Sequence, residues 1–350
     1  MTDTIAAMAR PLKLIIQIPC FDEEATLPLT LADLPRDVPG VDVVEWLVID
    51  DGSSDRTVEV ARELGVDHVV RHDHNRGLAA AFTTGLDACL RAGADVIVNT
   101  DADNQYDGAS VADIVAPVVA GEADMVVGER PIEEIDDFSR TKKLFQRLGS
   151  SVVRRFSGTG VRDAASGFRA YSREAAMRVQ VFGRYTYTME TIVQAGWNDF
   201  RVASVPVAVN PKTRDSRLVK STSRYIFRSA QAIVRSFAIY KPFRFFFAIG
   251  AVPALVGLGL LVRWLALYIF EDEYTSRVPS LLLGIGLMLV AIQIWSVAFL
   301  ADLQSANRRL LEDLRLRRRR DELDGTSDGS SAVPPIDPAP DHRTDQSSPR

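Results

Sequence analysis

The chain has 350 residues, 47% of them hydrophobic, and a net charge of −5, long enough for one large domain or two ordinary ones whose core needs no disulfide or metal staple. The small net charge conceals three regions: residues 1–200 hold 20 Lys and Arg against 32 Asp and Glu, residues 201–320 hold 19 against 7, and residues 321–350 hold 2 against 7. An acidic N-terminal half excludes wholesale nucleic-acid binding, which needs a basic footprint, and the basic region is also the apolar one, which points to a membrane.

Residues 1–11 form an extension with no basic segment followed by an apolar run, so no secretory leader is expected and the following domain is expected in the cytoplasm. Residues 12–19 (LKLIIQIP) read as a buried strand ended by Pro19. Residues 24–34 have helical spacing, and residues 46–49 form a second strand ending in Asp50-Asp51-Gly52. Ser54 or Asp55 can cap a helix over 56–64, with Gly65 at its C-terminal side. A strand over 68–71, an Ala-rich helix over 76–91 and a strand over 95–100 follow, the last ending in Asp101-Ala102-Asp103. A helix over 110–120 and a strand over 124–127 complete the alternation, which predicts a parallel sheet with helices on both faces. In such sheets a ligand lies beyond the carboxyl ends of the strands, where this sequence gathers Pro19–Glu23, Asp50–Asp51 and Asp101–Asp103.

Beyond Gly128 the spacing predicts a basic amphipathic helix over 140–156, a loop-to-strand stretch over 163–171, a helix over 188–196 and a strand over 202–209. Pro206 favours an edge position for that strand. Residues 224–241 mix Arg with aromatics on a helical period, which suits a helix lying in a membrane interface. Residues 245–262 and 278–301 carry no charge. The first extends past Arg263 to about residue 268, and each is long enough to cross a hydrocarbon core. Basic residues flank both outer ends, at Lys241 and Arg244 and again at Arg308, Arg309, Arg315 and Arg317–Arg320, while the linker 271–277 is acidic. The positive-inside rule then predicts a hairpin with both ends cytoplasmic. Gly257, Gly259, Gly284 and Gly286 could admit close helix contact. A basic helix over 304–320 and a disordered acidic tail over 321–350 complete the chain. Cys20 and Cys89 read as reduced, packed thiols, and His68, His72, His74 and His342 as surface residues.

The strongest chemical signal is DADNQ, residues 101–105, at a strand end. Asp101 and Asp103 are hard oxygen ligands that can hold Mg²⁺ or Mn²⁺ while leaving positions for phosphate oxygens. With IPCFDEEATL (18–27), VIDDGSSDRT (48–57), NRGLAAAFTTGL (75–86), NTDADNQY (99–106), VVGER (126–130), DAASGFRAYSR (163–173) and RDSRL (214–218), the chain resembles the family-2 glycosyltransferases. More narrowly, it is similar to the membrane-anchored polyprenyl-phosphate and dolichyl-phosphate hexosyltransferases.

The resemblance implies an α/β fold: a GT-A (Rossmann-like) nucleotide-sugar domain over 12–222, an interfacial helix over 223–242, and a two-helix transmembrane hairpin within 243–303. It implies transfer of a single hexose from a UDP- or GDP-sugar to a polyprenyl or dolichyl phosphate, with Mg²⁺ or Mn²⁺ and inversion at C1. Pro19, Phe21, Glu23, Asp50, Asp51, Arg76, Gly77 and Asp101 would bind the nucleotide sugar. The family often has Asn where this chain has Asp22, and commonly Tyr where it has Phe21. Asp101, Asp103 and Gln105 would hold the metal, and Arg130, Arg147, Ser151, Arg214 and Ser216 the acceptor phosphate. Asp163, Arg169 and Glu190 are the candidate catalytic residues. A phosphate monoester has a second pKa near ~6 and needs orientation more than deprotonation, so Asp163 could instead position Arg169 or hold the sugar. The QxxRW signature of processive synthases is absent, which argues against polymer synthesis. Two other functions fit the same residues less well: transfer to another lipid acceptor such as diacylglycerol, and a non-catalytic membrane scaffold. Membrane lipids are expected partners, nucleic acid is not, and a homo-oligomer is left open.

Overall fold

A computed structural model describes residues 10–131, 151, 154, 157–181, 187–211, 231, 234, 238, 242–270, 278–325 and 337–338. The chain divides into two compact units, residues 1–232 with 318–350, and residues 233–317.

The first unit is built on one sheet. Its strands are β1 (Lys13–Cys20), β2 (Val43–Asp50), β3 (His68–Arg71), β4 (Val96–Asn99), β5 (Met125–Glu129), β6 (Arg169–Ser172), β7 (Val202–Pro206) and β8 (Asp337–Pro338). They lie in the order β7-β5-β6-β4-β1-β2-β3-β8. β1 is central and parallel to both β2 and β4, and seven of its eight residues are buried. A strand covered on both faces has no solvent side, so it reads as a continuous apolar run.

The predicted parallel sheet is mixed. β6 enters between β4 and β5 and is antiparallel to both, because the strand–helix alternation stops after β5 and the chain returns from the opposite direction. β7 lies at the sheet edge with Pro206 at its end, where a missing backbone donor is tolerated.

Six helices of this unit are described: α1 (Leu27–Asp33), α2 (Thr57–Glu63), α3 (Leu78–Arg91), α4 (Ser110–Val119), α5 (Arg173–Arg178) and α6 (Thr188–Trp197). In α3 the buried positions Ala79, Phe82, Leu86 and Cys89 recur every three or four residues, which is one helix face. α3 lies close over β1: a Cβ on Gly85 would collide with Gln17 Oε1. Burial pushes the thiols of Cys20 and Cys89 well above the ordinary range, so both stay protonated and inert.

Two further helices follow, α7 (Pro242–Phe270) and α8 (Val278–Gly325). Both are long and apolar enough to cross a membrane, and only 11% and 17% of their most apolar stretches are buried within the protein. A core helix of a soluble protein would be mostly covered, so these helices point to membrane association. Inside the second unit they approach at Gly257 and Gly284: a Cβ on Gly257 would lie 3.0 Å from Gly284 O. Gly259 and Gly286 have nothing within 4 Å and take no part. Trp295 Nε1 donates to Phe247 O and its ring stacks on Phe247.

α8 does not stop at the apolar run. It continues through the basic segment and residues 321–325, which the sequence placed in the tail. Its last residues belong to the first unit, where Arg319 pairs with Asp87 and Arg320 with Glu174. β8 also falls in the predicted tail and pairs antiparallel with β3. Residues 1–9, all of the predicted 140–156 helix but Ser151 and Arg154, most of the predicted interfacial helix and the rest of the tail lie outside the described residues.

Candidate functional site

At the end of β1, Pro19 is buried within the strand and Phe21 is exposed just beyond it. Asp22 takes a left-handed conformation, φ 54°, which short polar side chains tolerate better than most. Its backbone N–H donates to Ser53 Oγ and its carboxylate accepts from Ser54 N, tying the β1 loop to the β2 loop. Glu23 is buried and receives the Thr26 hydroxyl, while its own N–H donates to Thr57 Oγ1.

The two acids after β2 have separate duties. Asp51 is turned inward. Its Oδ1 accepts from Arg76 N at 2.9 Å and His72 Nδ1 at 2.7 Å, and its Oδ2 accepts from Gly77 N at 2.8 Å. It therefore shapes the loop that leads into α3. Asp50 is fully buried; Oδ1 accepts from Ser53 N, and Arg71 Nε stands 3.1 Å from Oδ2. Oδ2 has no hydrogen-bond partner of good geometry among the described residues. Gly52 lets these loops touch: with φ 77°, a Cβ there would be 2.6 Å from the His74 carbonyl carbon.

The expectation of four surface histidines fails at His72, which is buried between Asp51 and Thr84, with Nε2 3.0 Å from Thr84 Oγ1. A lone His between polar neighbours in sequence gives no sign of such burial. His68 is half-buried, 2.7 Å from Glu45 Oε2, and His74 is exposed.

The acid loop after β4 meets the SGFR loop before β6. A Cβ on Gly167 would stand 3.1 Å from both Asp101 Oδ2 and Tyr187 Oη, so glycine is what lets the Asp101 carboxylate lie against that backbone. Beneath them runs a buried polar chain. Gln17 Nε2 donates to Asn99 Oδ1, and Asn99 Nδ2 donates to Gly167 O and Tyr187 Oη. Tyr187 stacks on Phe82 at 3.8 Å between ring centroids. Burial, reinforced by Asp101, pushes its phenol well above the ordinary range, so it stays protonated. Asp103 Oδ1 accepts from Gln105 N, and Thr30 Oγ1 donates to Ala102 O. Among the described residues no three His, Cys, Asp or Glu side chains gather as a metal-binding group; the loop offers two carboxylates and the Gln105 amide.

Tyr106 stands where the loops converge. Its hydroxyl accepts from Gly167 N at 3.1 Å and its ring stacks on Phe168. Burial raises its pKa, with Asp101 and Asp163 adding to the rise and Arg130 opposing it. Arg130 makes a bidentate pair with the fully buried Asp163, Nε to Oδ2 at 2.7 Å and Nη2 to Oδ1 at 3.1 Å. Burial works against the Arg130 cation, but Tyr106 and Asp163 outweigh it and hold its pKa above the ordinary value.

Of the roles the sequence left open for Asp163, the structure adds one it did not offer, a bidentate hold on Arg130. Arg169 itself is fully buried, donating to Ser166 O, Ala164 O and Thr191 Oγ1. It binds the SGFR turn to α6 from inside the protein. Glu190 is buried in the first turn of α6. Ser151 is helical and exposed, whereas Arg147, Arg214 and Ser216 lie outside the described residues. The segment leading to Arg214 begins beside the acid loop: Asn210 N donates to Gln105 O at 2.9 Å, and Tyr106 bridges Val209. Gln17, His72, Asn99, Tyr106 and Tyr187 were not singled out as site residues by the sequence. Polar residues inside the apolar strands β1 and β4 are the one signal that pointed to Gln17 and Asn99.

A mixed sheet with an antiparallel strand inserted between β4 and β5, and acids collected at the carboxyl ends of β1, β2 and β4, is a GT-A fold. Residues 15–179 match glycosyl transferase family 2. The chain belongs to that family and is a glycosyltransferase. It is 30% identical to polyprenol monophosphomannose synthase of Mycolicibacterium smegmatis over 57% of this chain and 79% of that protein. It is 27% identical to UDP-N-acetylglucosamine–dolichyl-phosphate N-acetylglucosaminyltransferase of Methanococcus voltae over 54% and 82%. In fold it resembles glucosyl-3-phosphoglycerate synthase of Mycobacterium tuberculosis, with TM-score 0.52 and 23% identity over 65% of this chain and 79% of that one.

Proposed function

We propose that the chain transfers a single hexose from a UDP- or GDP-sugar to a polyprenyl or dolichyl phosphate at the cytoplasmic face of a membrane, with inversion. The observation that carries this reading is the meeting of the Asp101 loop and the SGFR loop at Gly167, whose N–H donates to Tyr106 Oη and whose backbone lies against the Asp101 carboxylate, together with the Arg130–Asp163 pair held four residues before Gly167. The first loop brings an acid suited to a diphosphate-bound dication, and the second fixes a guanidinium suited to a second phosphate. The acceptors named for the Mycolicibacterium and Methanococcus relatives, a polyprenol and a dolichyl phosphate, support a prenyl-phosphate acceptor.

Asp101 and Asp103, with Gln105 alongside, fit Mg²⁺ or Mn²⁺: two hard carboxylates leave positions for phosphate oxygens. Such an ion neutralises charge on the leaving diphosphate. Arg76 and Gly77, set by Asp51, line the nucleotide, and Asp50 Oδ2 is the acidic atom left to meet a base N–H once the exposed Arg71 swings away. Pro19, Phe21 and Glu23 shape the wall beyond β1.

On the acceptor side, Arg130 offers a planar fork to a phosphate, joined by Arg147, Ser151, Arg214 and Ser216. Arg214 is four residues past Asn210, a reach of at most ~14 Å from the acid loop. The acceptor phosphate is already anionic and attacks without a base. Asp163 holds Arg130 in this reading, Arg169 holds the SGFR turn, and Glu190 contacts sugar hydroxyls. A diacylglycerol hydroxyl would need a general base, and Asp163 is already committed to Arg130. Helices α7 and α8 form the hairpin, with the transferase domain and both termini cytoplasmic.

The test is transfer of radiolabelled sugar from a panel of UDP- and GDP-sugars to dolichyl and undecaprenyl phosphate by the purified full chain with Mg²⁺ or Mn²⁺. Label in a prenyl-phosphate lipid supports the reading. Label only in diacylglycerol, or nucleotide-sugar binding without turnover, overturns it.

A further inference from the structure

The loop that would cover the donor nucleotide, residues 73–77, is held at one end by the buried Asp51 carboxylate. Asp51 accepts the N–H groups of Arg76 and Gly77, and those two bonds fix where the loop turns into α3. The Asp51 carboxylate is itself located by His72, whose Nδ1 lies 2.7 Å from the same Oδ1 that receives Arg76 N. The other end of the imidazole meets Thr84 Oγ1, two turns along α3. His72 is located in turn by its backbone, whose N–H donates to Asp50 O at 2.8 Å. One ring thus bridges the acid pair after β2 and the helix whose N-terminus the loop forms, with both ring nitrogens occupied.

We infer that His72 is a positioning residue for the donor: it holds Asp51, and through it the Arg76–Gly77 turn, so that the backbone of that turn and the Arg76 side chain meet the nucleotide in one geometry. This rests on the nucleotide-sugar reading above and adds to it a residue whose effect is confined to the donor. Without the ring, Asp51 has one donor fewer and a space beside it that water or a rotated carboxylate can fill. The loop then samples several positions, and the donor must order it on binding. That cost falls on donor affinity and not on the acceptor or the chemical step.

The test compares His72→Ala, His72→Asn and His72→Gln in the full chain, reading donor KM, acceptor KM, kcat and hydrogen exchange of the Arg76 and Gly77 amides. An Asn amide can stand near the Nδ1 position and donate to Asp51, whereas a Gln amide reaches toward Thr84 instead. Loss of one charge-assisted hydrogen bond predicts a donor KM about tenfold higher in His72→Ala, with kcat and acceptor KM little changed and amide protection lost. His72→Asn should recover most of both effects and His72→Gln little of either. Unchanged donor KM and protection in folded His72→Ala overturns the inference, as does His72→Asn behaving like His72→Gln. If the alanine variant does not fold, the Asn–Gln contrast decides. Should the wild-type chain use no UDP- or GDP-sugar, the proposed function fails, and the exchange arm still decides whether His72 holds this loop.

Discussion

Arg130 and Asp163 are joined by two parallel hydrogen bonds, and the carboxylate of the pair is fully buried. Ala165 N donates to the same Oδ1. A carboxylate so engaged is a poor proton acceptor and a good orienting group.

Asp163→Asn therefore tests orientation against base catalysis. It removes the buried charge and leaves the partly buried Arg130 guanidinium without its counter-ion, which should cost about 3 kcal/mol of stability. Acceptor KM should rise while the shape of the pH–rate profile stays as in the wild type. A profile that loses its acidic limb would show that Asp163 titrates during catalysis. Arg130→Lys keeps the charge but loses the fork, and should weaken acceptor binding nearly as much.

Gly167→Ala places a methyl group 3.1 Å from Asp101 Oδ2 and Tyr187 Oη. Overpacking of this kind costs about 1–3 kcal/mol. Because the displaced group is the Asp101 carboxylate, transfer should fall at least about tenfold while the melting temperature drops only a few degrees. Wild-type turnover in Gly167→Ala would detach Asp101 from the reaction.

Asp103→Ala should abolish transfer and make nucleotide affinity independent of Mn²⁺. Calorimetric titration of UDP and GDP with and without Mn²⁺, before and after chelation, reads the second effect directly. A variant whose nucleotide affinity still responds to Mn²⁺ would move the metal elsewhere.

Glu45 supplies a pH signature away from the site. Burial alone would raise its pKa, but hydrogen bonds from His68 and Lys13 prevail and lower it to about 2 from an ordinary value of 4.5. A carboxylate with a depressed folded-state pKa stabilises the fold fully above its unfolded value and progressively less as pH falls toward the folded one. Glu45→Gln should thus flatten the decline in stability between about pH 4.5 and pH 2. Parallel acid-denaturation curves for the two proteins would rule this out.

In the apolar helices, Gly257→Val should lower the melting temperature in detergent, because its Cβ meets Gly284 O at 3.0 Å. Gly259→Val, with nothing within 4 Å, should be neutral. Equal effects of the two substitutions would mean that the helices do not approach through Gly257.

The sequence by itself determined the strands β1 to β5, the acids at their carboxyl ends and the two apolar helices. Each of these is a short-range pattern: an apolar run, a helical period, a Gly or Asp at a strand end. The tertiary structure decided which side chain answers which. Arg130 and Asp163 are 33 residues apart, and Asn99 and Tyr187 are 88 apart; nothing local in either member names its partner. For the same reason nothing in the sequence says that Arg169, a candidate catalytic residue, is fully buried and bonded to Ser166, Ala164 and Thr191, and His72 read as a surface residue and proved to be buried against Asp51. The antiparallel entry of β6 between β4 and β5 is what brings Gly167 to Asp101. Periodicity marks β6 as a strand but carries no information about its direction, which is fixed only when the sheet assembles around it.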